Sequence, residues 1–427
     1  MIATMPKEQL VPGLMEFYGE AEARDRTFKD KALTNWKSFK SVLPDAWPYQ
    51  SNIFVPYTSM DVTTVVEKIM AKLFPKERVF EIDPLSGQGE LETELMRELL
   101  ADRLRSMKYK LLKFYQCFEC VLFGNGVQHH TARARTIRVA TRVPVTYNDG
   151  MQTIIGYTQG TKQSLEVQPF GEVVSRFDCY PGGTGGTIQE MPMFCFRQLV
   201  PVDLIKAAAP LAGYDPAVVA KLDAESFAVD ASSGTVWAND ERKFDMWERL
   251  AAVGYDVRQP GGLGATKWAT RYLELLTFHD RAPLEEGGES CATIVNRDLV
   301  LKAGANPWLH RQKPFSEIKF APMGHSYWQA MGLPELIEQI QYLANIRANQ
   351  KNDRIDLDVN PMWLLANNAG VKDKSLIGTA WPGSVIGVDD INGVKPMERP
   401  EAISKLFEDD QWMSAIRQRV TQVMARQ

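Results

Sequence analysis

Cys117-Phe-Glu-Cys120, with His129-His130 downstream, is the grouping whose residue types come nearest to holding a metal. A zinc site needs four such ligands, and no second pair follows at the spacing that zinc sites use. The two cysteines sit among Phe114, Tyr115 and Phe118 in what reads as one continuous helix, where a thiol serves as a small core group. Asp356-x-Asp358 is a close carboxylate pair, and at a helix end it reads as solvated surface rather than a metal site. Gly160-Thr161-Lys162 and Gly264-Ala265-Thr266-Lys267 both break the phosphate-loop pattern, in which a Gly-Lys-Ser/Thr end lets backbone and lysine cradle a phosphate. Gly124-Asn125-Gly126 follows a helix rather than a strand and lacks the third glycine of a dinucleotide turn. There is no Gly-x-Ser-x-Gly elbow and no His-Glu-x-x-His helix. The residues specify no active site, and neither an enzymatic activity nor a metal or cofactor is expected.

Bulk properties narrow the partners. The 427 residues are 44% hydrophobic and 24% charged, the balance of a folded protein with room for two or three cores. Lys and Arg number 49 against 53 Asp and Glu, a net charge of −4. Tight binding to duplex DNA draws on neutralised phosphates and a basic surplus, so a DNA partner is expected to be held loosely and without sequence preference. Five cysteines, odd in number and sparse, fit a reducing compartment rather than a disulfide framework. The opening MIATMPKEQLVPG lacks the apolar core of a signal peptide. No uncharged apolar run reaches the roughly 18–20 residues of a membrane span, so a soluble cytosolic product with no membrane partner is expected.

The elements follow from periodicity. Residues 6–43 read as helix, with Leu10, Leu14, Phe17, Phe28, Leu33, Trp36 and Phe39 at loosely helical spacing. Trp47–Ser59 is extended, and a short helix runs from about Met60 to Phe74, stopped by Pro75. One long helix is expected from Glu90 to Phe123, striped by Leu91, Leu95, Leu99, Leu104, Leu111, Phe118 and Leu122 and ended by Gly124. From Val127 to Arg197 the pattern alternates as strands do, with a hairpin signal at Asn148-Asp149-Gly150. Helices return over 201–253, and YLELLTFHD and ATIVNRDLVLKAG read as strands. Pro334 opens the most regular late helix, 334–358. Its expected packing face carries Leu336, Ile337, Ile340, Leu343 and Ala344, and its polar face Glu338, Asn345, Asn349, Asn352 and Asp356. On that reading, cutting back Leu336, Ile340 or Leu343 is damaging, whereas Asn345→Ala and Asn349→Ala are tolerated. A Pro-, Gly- and Asn-rich block with strand candidates WLLAN and SVIGV precedes a last helical segment.

Four stretches, in order over roughly 300 residues, resemble portal proteins, the head-to-tail connectors of tailed double-stranded DNA bacteriophages. SNIFVPYTSMDVTTVVEKIMAKLF at 51–74 resembles that family's extended segment and helix entering the wing domain. FYQCFECVLFGNGVQ at 114–128 is similar to its apolar helix closing on Gly-x-Gly-Val before the wing sheet. VVSRFDCYPGG at 173–183, with MFCFRQLVPVDLIKAA at 193–208, resembles its Asp-x-x-x-Pro turn, strand ending in Arg and short helix. Residues 306–353 resemble its Lys-x-Pro-Phe strand and a first stem helix rich in Gln and Asn.

The resemblance implies an α+β portal fold: a mixed helix and sheet wing at 1–333, a first stem helix at 334–358, a small α/β clip at 359–400 and the start of a second stem helix at 401–427. Tunnel-loop and crown residues would lie beyond Gln427, so no crown is expected within these residues. It also implies a structural ring, usually of twelve copies, set in the virion and assembled in the host cytoplasm. That ring would pass double-stranded viral DNA during packaging and ejection, and would meet terminase, tail adaptor proteins, and capsid and scaffolding proteins. Twelve helices about 10 Å wide leave a bore of roughly 28 Å, enough for a duplex of about 20 Å. Glu338, Asn345, Asn349, Asn352 and Asp356 are then either channel-lining or on the outer solvated face of the stem. Trp363, Leu364, Leu365 and Trp381 are either adaptor contacts or the core of the clip. A metal-dependent nucleic-acid enzyme and another virion ring or adaptor protein are the alternatives.

Overall fold

The computed structural model describes residues 2, 7–42, 51–75, 82, 90–147, 153–224, 272–281, 290–306, 312–359, 363–365, 394–396, 411–412 and 414–419. The chain divides into two compact units, Met1–Trp36 with Val66–Leu333, and Lys37–Val65 with Pro334–Gln427. The second unit thus takes in 37–65 together with the residues after 333. The architecture is mixed helix and sheet, α+β in class.

In the first unit, α1 (Lys7–Phe39) lies on a five-stranded antiparallel sheet. The strands are β3 (Cys179–Gly182), β4 (Met193–Pro201), β5 (Tyr272–Asp280), β6 (Ser290–Val295) and β7 (Leu299–Ala305), neighbours in chain order. The two-residue period sorts its side chains between faces. Tyr180, Met193, Cys195, Leu276, Phe278, Ala292 and Ile294 pack with Leu10, Leu14, Tyr18 and Ala21 of α1. The alternate residues Cys179, Phe194 and Phe196 pack with Phe315 and Trp328 on the other side. Leu273, Leu275, Val295 and Leu301 also join Ile205 and Leu222, from α5 (Val202–Ala212) and α6 (Pro216–Ala224).

Farther along α1 the buried line turns polar. Asp25 and Arg176 form a bidentate pair at 2.6 and 2.7 Å, 1% and 3% exposed. Beside it Arg197 pairs with Asp178 at 2.7 Å, and Arg297 with Glu274 at 3.1 Å. Lys29 lies 3.6 Å from the Tyr180 ring centre, and burial lowers its pKa to about 8. Burying these charges is tolerable because each guanidinium meets a carboxylate, Arg176 and Arg297 in fork geometry and Arg197 with two nitrogens on Asp178 Oδ1.

The second sheet is built on a ribbon, β1 (Asn125–Tyr147) paired antiparallel with β2 (Thr153–Val174). This is the expected hairpin, although Asn148-Asp149-Gly150 lie outside the described residues. β8 (Phe315–Lys319) adds a third strand at Asn125–His129. The unit also holds a small antiparallel pair, β9 (Ala321–Pro322) with β10 (Ala330–Met331).

The single helix expected over Glu90–Phe123 is instead two, α3 (Glu90–Ser106) and α4 (Tyr109–Phe123). Lys108 takes a left-handed conformation, φ 53° and ψ 45°, which ends one helix and starts the next. Neither glycine nor proline marks the break, so the periodicity ran straight through it. The expected stripe is corrected too: Leu91, Leu95 and Leu99 are exposed, while Cys117, Cys120, Val121, Leu122 and Phe123 are buried. Two glycines let α4 close on the sheet. Gly124, at φ +91°, would put a Cβ 2.0 Å from the Ala330 carbonyl oxygen, and Gly126 one at 2.2 Å from that of Gln116. Among the described residues, no helix is long and apolar enough to cross a membrane.

Two predictions follow from these buried charges and rings. Asp25→Ala leaves the Arg176 guanidinium buried without its carboxylate and should cost about 3–5 kcal/mol in chemical denaturation. His279 lies against Phe196 and Phe315, and burial, with repulsion from His129 and Lys313, lowers its pKa from 6.5 to about 3. The folded state keeps it neutral while the unfolded chain takes up a proton below 6.5. Stability should therefore fall as pH drops from about 6.5 toward 3, by up to about 1.4 kcal/mol per unit, and that slope should shrink in His279→Phe.

Candidate functional site

Helix α7 (Leu333–Val359) opens the late part of the second unit; its 27 residues rise about 40 Å. Residues 51–56 carry no regular secondary structure and lead into α2 (Tyr57–Leu73). An isolated segment of this kind has no strand to receive its N–H groups, and α7 supplies side chains in place of one. Ser51 N–H donates to Asp353 Oδ1 at 2.9 Å, Ile53 N–H to Asn349 Oδ1 at 2.7 Å and Val55 N–H to Asn345 Oδ1 at 2.9 Å. Asn349 Nδ2 donates back to the Ile53 carbonyl at 3.2 Å, and Gln341 Nε2 to that of Val55 at 2.6 Å. Asn352 Nδ2 reaches Ser51 Oγ at 3.2 Å. Gln341 Oε1 then accepts the N–H and hydroxyl of Thr58 at 3.0 Å each, capping the first turn of α2 from outside.

The register has a geometric cause. Four helical residues rise about 6 Å, and two extended residues span about 6.6 Å. Acceptors at 345, 349 and 353 therefore match the N–H groups at 55, 53 and 51, with the two chains running in opposite directions. A strict four-residue repeat of Gln341, Asn345, Asn349 and Asp353 was visible in the sequence. Amides and a carboxylate are middling helix formers, and their regularity was the missed signal.

Of the expected packing face of α7, Ile337 and Ala344 are buried, whereas Leu336, Ile340 and Leu343 are not, so that face is corrected in part. Ile337, Gln341, Ala344 and Asn349 are the buried line, with Asn349 2% exposed. Leu336 and Ile340 are half-buried and Leu343 is 43% exposed, so this stripe is rotated by about 100° from the buried one. Asn345, Asn349 and Asn352, expected on a free polar face, have their amides engaged by 51–58. Glu338 and Asp356 are exposed as expected.

After α7 the chain leaves and returns. β11 (Trp363–Leu365) pairs antiparallel with β12 (Val394–Pro396), matching Trp363 with Pro396 and Leu365 with Val394. WLLAN thus gives a strand at Trp363, Leu364 and Leu365, whereas SVIGV and Trp381 lie outside the described residues. Residues 414–419 are helical, and Arg417 grips Asp61 of α2 with Nε at 2.8 Å from Oδ2 and Nη2 at 2.8 Å from Oδ1. Its guanidinium also lies 4.1 Å from the centre of the Tyr57 ring, and the Asp61 hydrogen bonds raise its pKa.

The groups weighed for metal chemistry do not converge. Cys120 Sγ donates to the Ile318 carbonyl at 3.3 Å, and burial raises its pKa. His129 Nδ1 lies 2.9 Å from Glu172 Oε1, and His130 Nε2 lies 2.8 Å from Ser316 Oγ. Among the described residues, no group of three or more His, Cys, Asp and Glu is placed to hold a metal ion. Compared with known proteins, the chain matches no family model and no curated protein.

Replacing Asn349 by Leu keeps the side-chain size but orphans the Ile53 N–H and C=O, at about 1–3 kcal/mol for each buried group. Amide hydrogen exchange at Ile53 and Val55 should quicken in Asn349→Leu and stay slow in Glu338→Gln, whose side chain is exposed.

Proposed function

We propose that this chain is a portal subunit, a structural ring protein of a tailed bacteriophage that passes double-stranded DNA. One observation carries the reading: the out-and-back course of the second unit. A long helix leads to a small antiparallel pair, and the chain then comes back to a helical turn tied to Asp61. Stem, clip and returning stem have that order in the portal resemblance. The part of α7 left uncovered in a single chain adds support, since Tyr342 and Leu343 are exposed apolar groups that a neighbouring copy would cover.

On this reading the ring, twelve copies in the virion, is assembled in the host cytoplasm with capsid and scaffolding proteins. The segment around β11 and β12 meets terminase during packaging and tail adaptor proteins afterwards, and Trp363, Leu364, Leu365 and Trp381 are its contacts. Glu338 and Asp356 are the channel-facing candidates that stay exposed. Carboxylates repel phosphate, so they let DNA slide where a row of lysines would hold it. The chain then does no chemistry on the DNA.

Negative-stain imaging of the purified protein at micromolar concentration should show closed rings with a central hole. A population of monomers alone would overturn the reading. DNA retention should be weak, indifferent to sequence and lost as salt rises, and a sequence-selective gel shift surviving physiological salt would count decisively against it.

A further inference from the structure

A groove of about 550 Å³ runs between α4 and β2, with Met107, Leu111, Leu112 and Tyr115 on one wall and Gly171 and Val173 on the other. The strand order β2-β1-β8 leaves β2 at an edge of its sheet, and among the described residues no strand pairs with that edge. Which backbone groups face it follows from the ladder. His130 N–H donates to the Pro314 carbonyl at 2.8 Å, toward β8. Successive residues of a strand point their backbone groups to opposite sides, so His129 and Thr131 serve β2. Their partners Glu172 and Phe170 therefore face inward, and Gly171 and Val173 turn N–H and C=O outward, into the groove.

A second observation lies at the same spot. Gln128 is fully buried, and neither its amide nitrogen nor its oxygen has a hydrogen-bond partner. A Cβ placed on Gly171 would meet Gln128 Nε2 at 2.8 Å, Leu112 Cδ1 at 3.3 Å and Met107 Cε at 3.4 Å. Glycine thus leaves a notch in β2, and the amide lies at its floor. A buried amide that pairs with nothing costs stability, and a partner arriving from outside the chain would account for its being there.

We propose that this groove takes an extended peptide of another protein as an added strand on β2, with an asparagine or glutamine side chain set on the Gln128 amide. Main chain is the complement of outward N–H and C=O groups that repeat every second residue. A side-chain amide returns both a donor and an acceptor to Gln128, as Asn349 does for Ile53 in the second unit. Apolar residues two places to either side meet Leu111 and Tyr115, both exposed in the single chain. Charge sets the direction. Gly126 abuts Gln116 and Gly171 abuts Leu112, so α4 runs the same way as β2, with Lys108 at the Phe170 end and Glu119 at the Ser175 end. An antiparallel strand then brings a basic residue to Glu119 and a carboxylate to Lys108. The extended stretches described in this chain are already held, 51–55 by α7 and the strands by their neighbours, so the donor is a different protein. The proposal stands apart from the portal reading, and either can fail alone.

Fluorescein-labelled Lys-Leu-Thr-Asn-Thr-Leu-Glu, titrated with the full chain and read by fluorescence anisotropy, is expected to bind saturably. Val173→Pro removes one outward N–H and no ladder bond, so the chain should melt like wild type while affinity falls about tenfold. Replacing the peptide's asparagine by leucine should weaken binding by about the same factor. Gln128→Leu should also lower affinity about tenfold, yet raise the melting temperature of the free chain by removing an unpaired buried amide. Leu111→Asp, at an exposed position, guards against misfolding and should weaken binding likewise. No saturable binding by the wild type overturns the proposal, as does unchanged affinity in Val173→Pro or Leu111→Asp. A Gln128→Leu chain that melts lower and binds as before assigns the amide to the fold and overturns it too. Should the wild type self-associate while Val173→Pro stays monomeric, the occupant is a second copy and the foreign peptide is ruled out.

Discussion

A segment that crosses a protein outside any sheet must still satisfy its backbone N–H groups, and the second unit does so with helix side chains. Gln341, Asn345, Asn349 and Asp353 act as a substitute strand, taking the amides of Ser51, Ile53, Val55 and Thr58 in turn. The arrangement works because the rise of four helical residues nearly equals the span of two extended ones. It brings residues about 290 positions apart in the chain together, and it seats α2 by capping its first turn. With α2 seated, Asp61 becomes the fixed point to which Arg417 returns. The long helix, the excursion beyond it and the way back are linked through this one polar ladder.

The first unit solves a related problem with charges. Its sheet uses both faces, so the side of β4 and β5 toward α1 carries Arg197 and Glu274 among apolar neighbours. Asp25, Asp178 and Glu274 each neutralise an arginine there, and the Asp25–Arg176 pair ties α1 to the turn just before β3. Apolar packing alone would tolerate a helix slid by one turn. A bidentate ion pair buried on both sides does not, because the slip would strand two charges.

A single copy leaves its apolar surplus in particular places: α3, and the Tyr342 and Leu343 face of α7. A protein that buries Leu14, Phe194 and Phe278 nearly completely is not short of core. Under the portal proposal, further copies of the same chain would cover these exposed leucines. A ring also accounts for a net charge of −4 in a protein proposed to handle DNA, since the channel must admit the duplex without holding it.

The sequence by itself determined the α+β class, most element positions and the hairpin, because each is set by a local period or a turn residue. Alternation in β1 and β2, the Gly124 stop and Pro334 at a helix start are all short-range signals. Tertiary structure decided the rest. Lys108 breaks a helix that no glycine or proline marks, through a left-handed backbone at φ 53° and ψ 45°. The buried line of α7 lies one residue round from the stripe of Leu336, Ile340 and Leu343, because its partner is a polar backbone that rewards amides. Asn349 looks like a surface residue by type and is buried by use. Type is a property of the residue, and use depends on a segment nearly three hundred positions away.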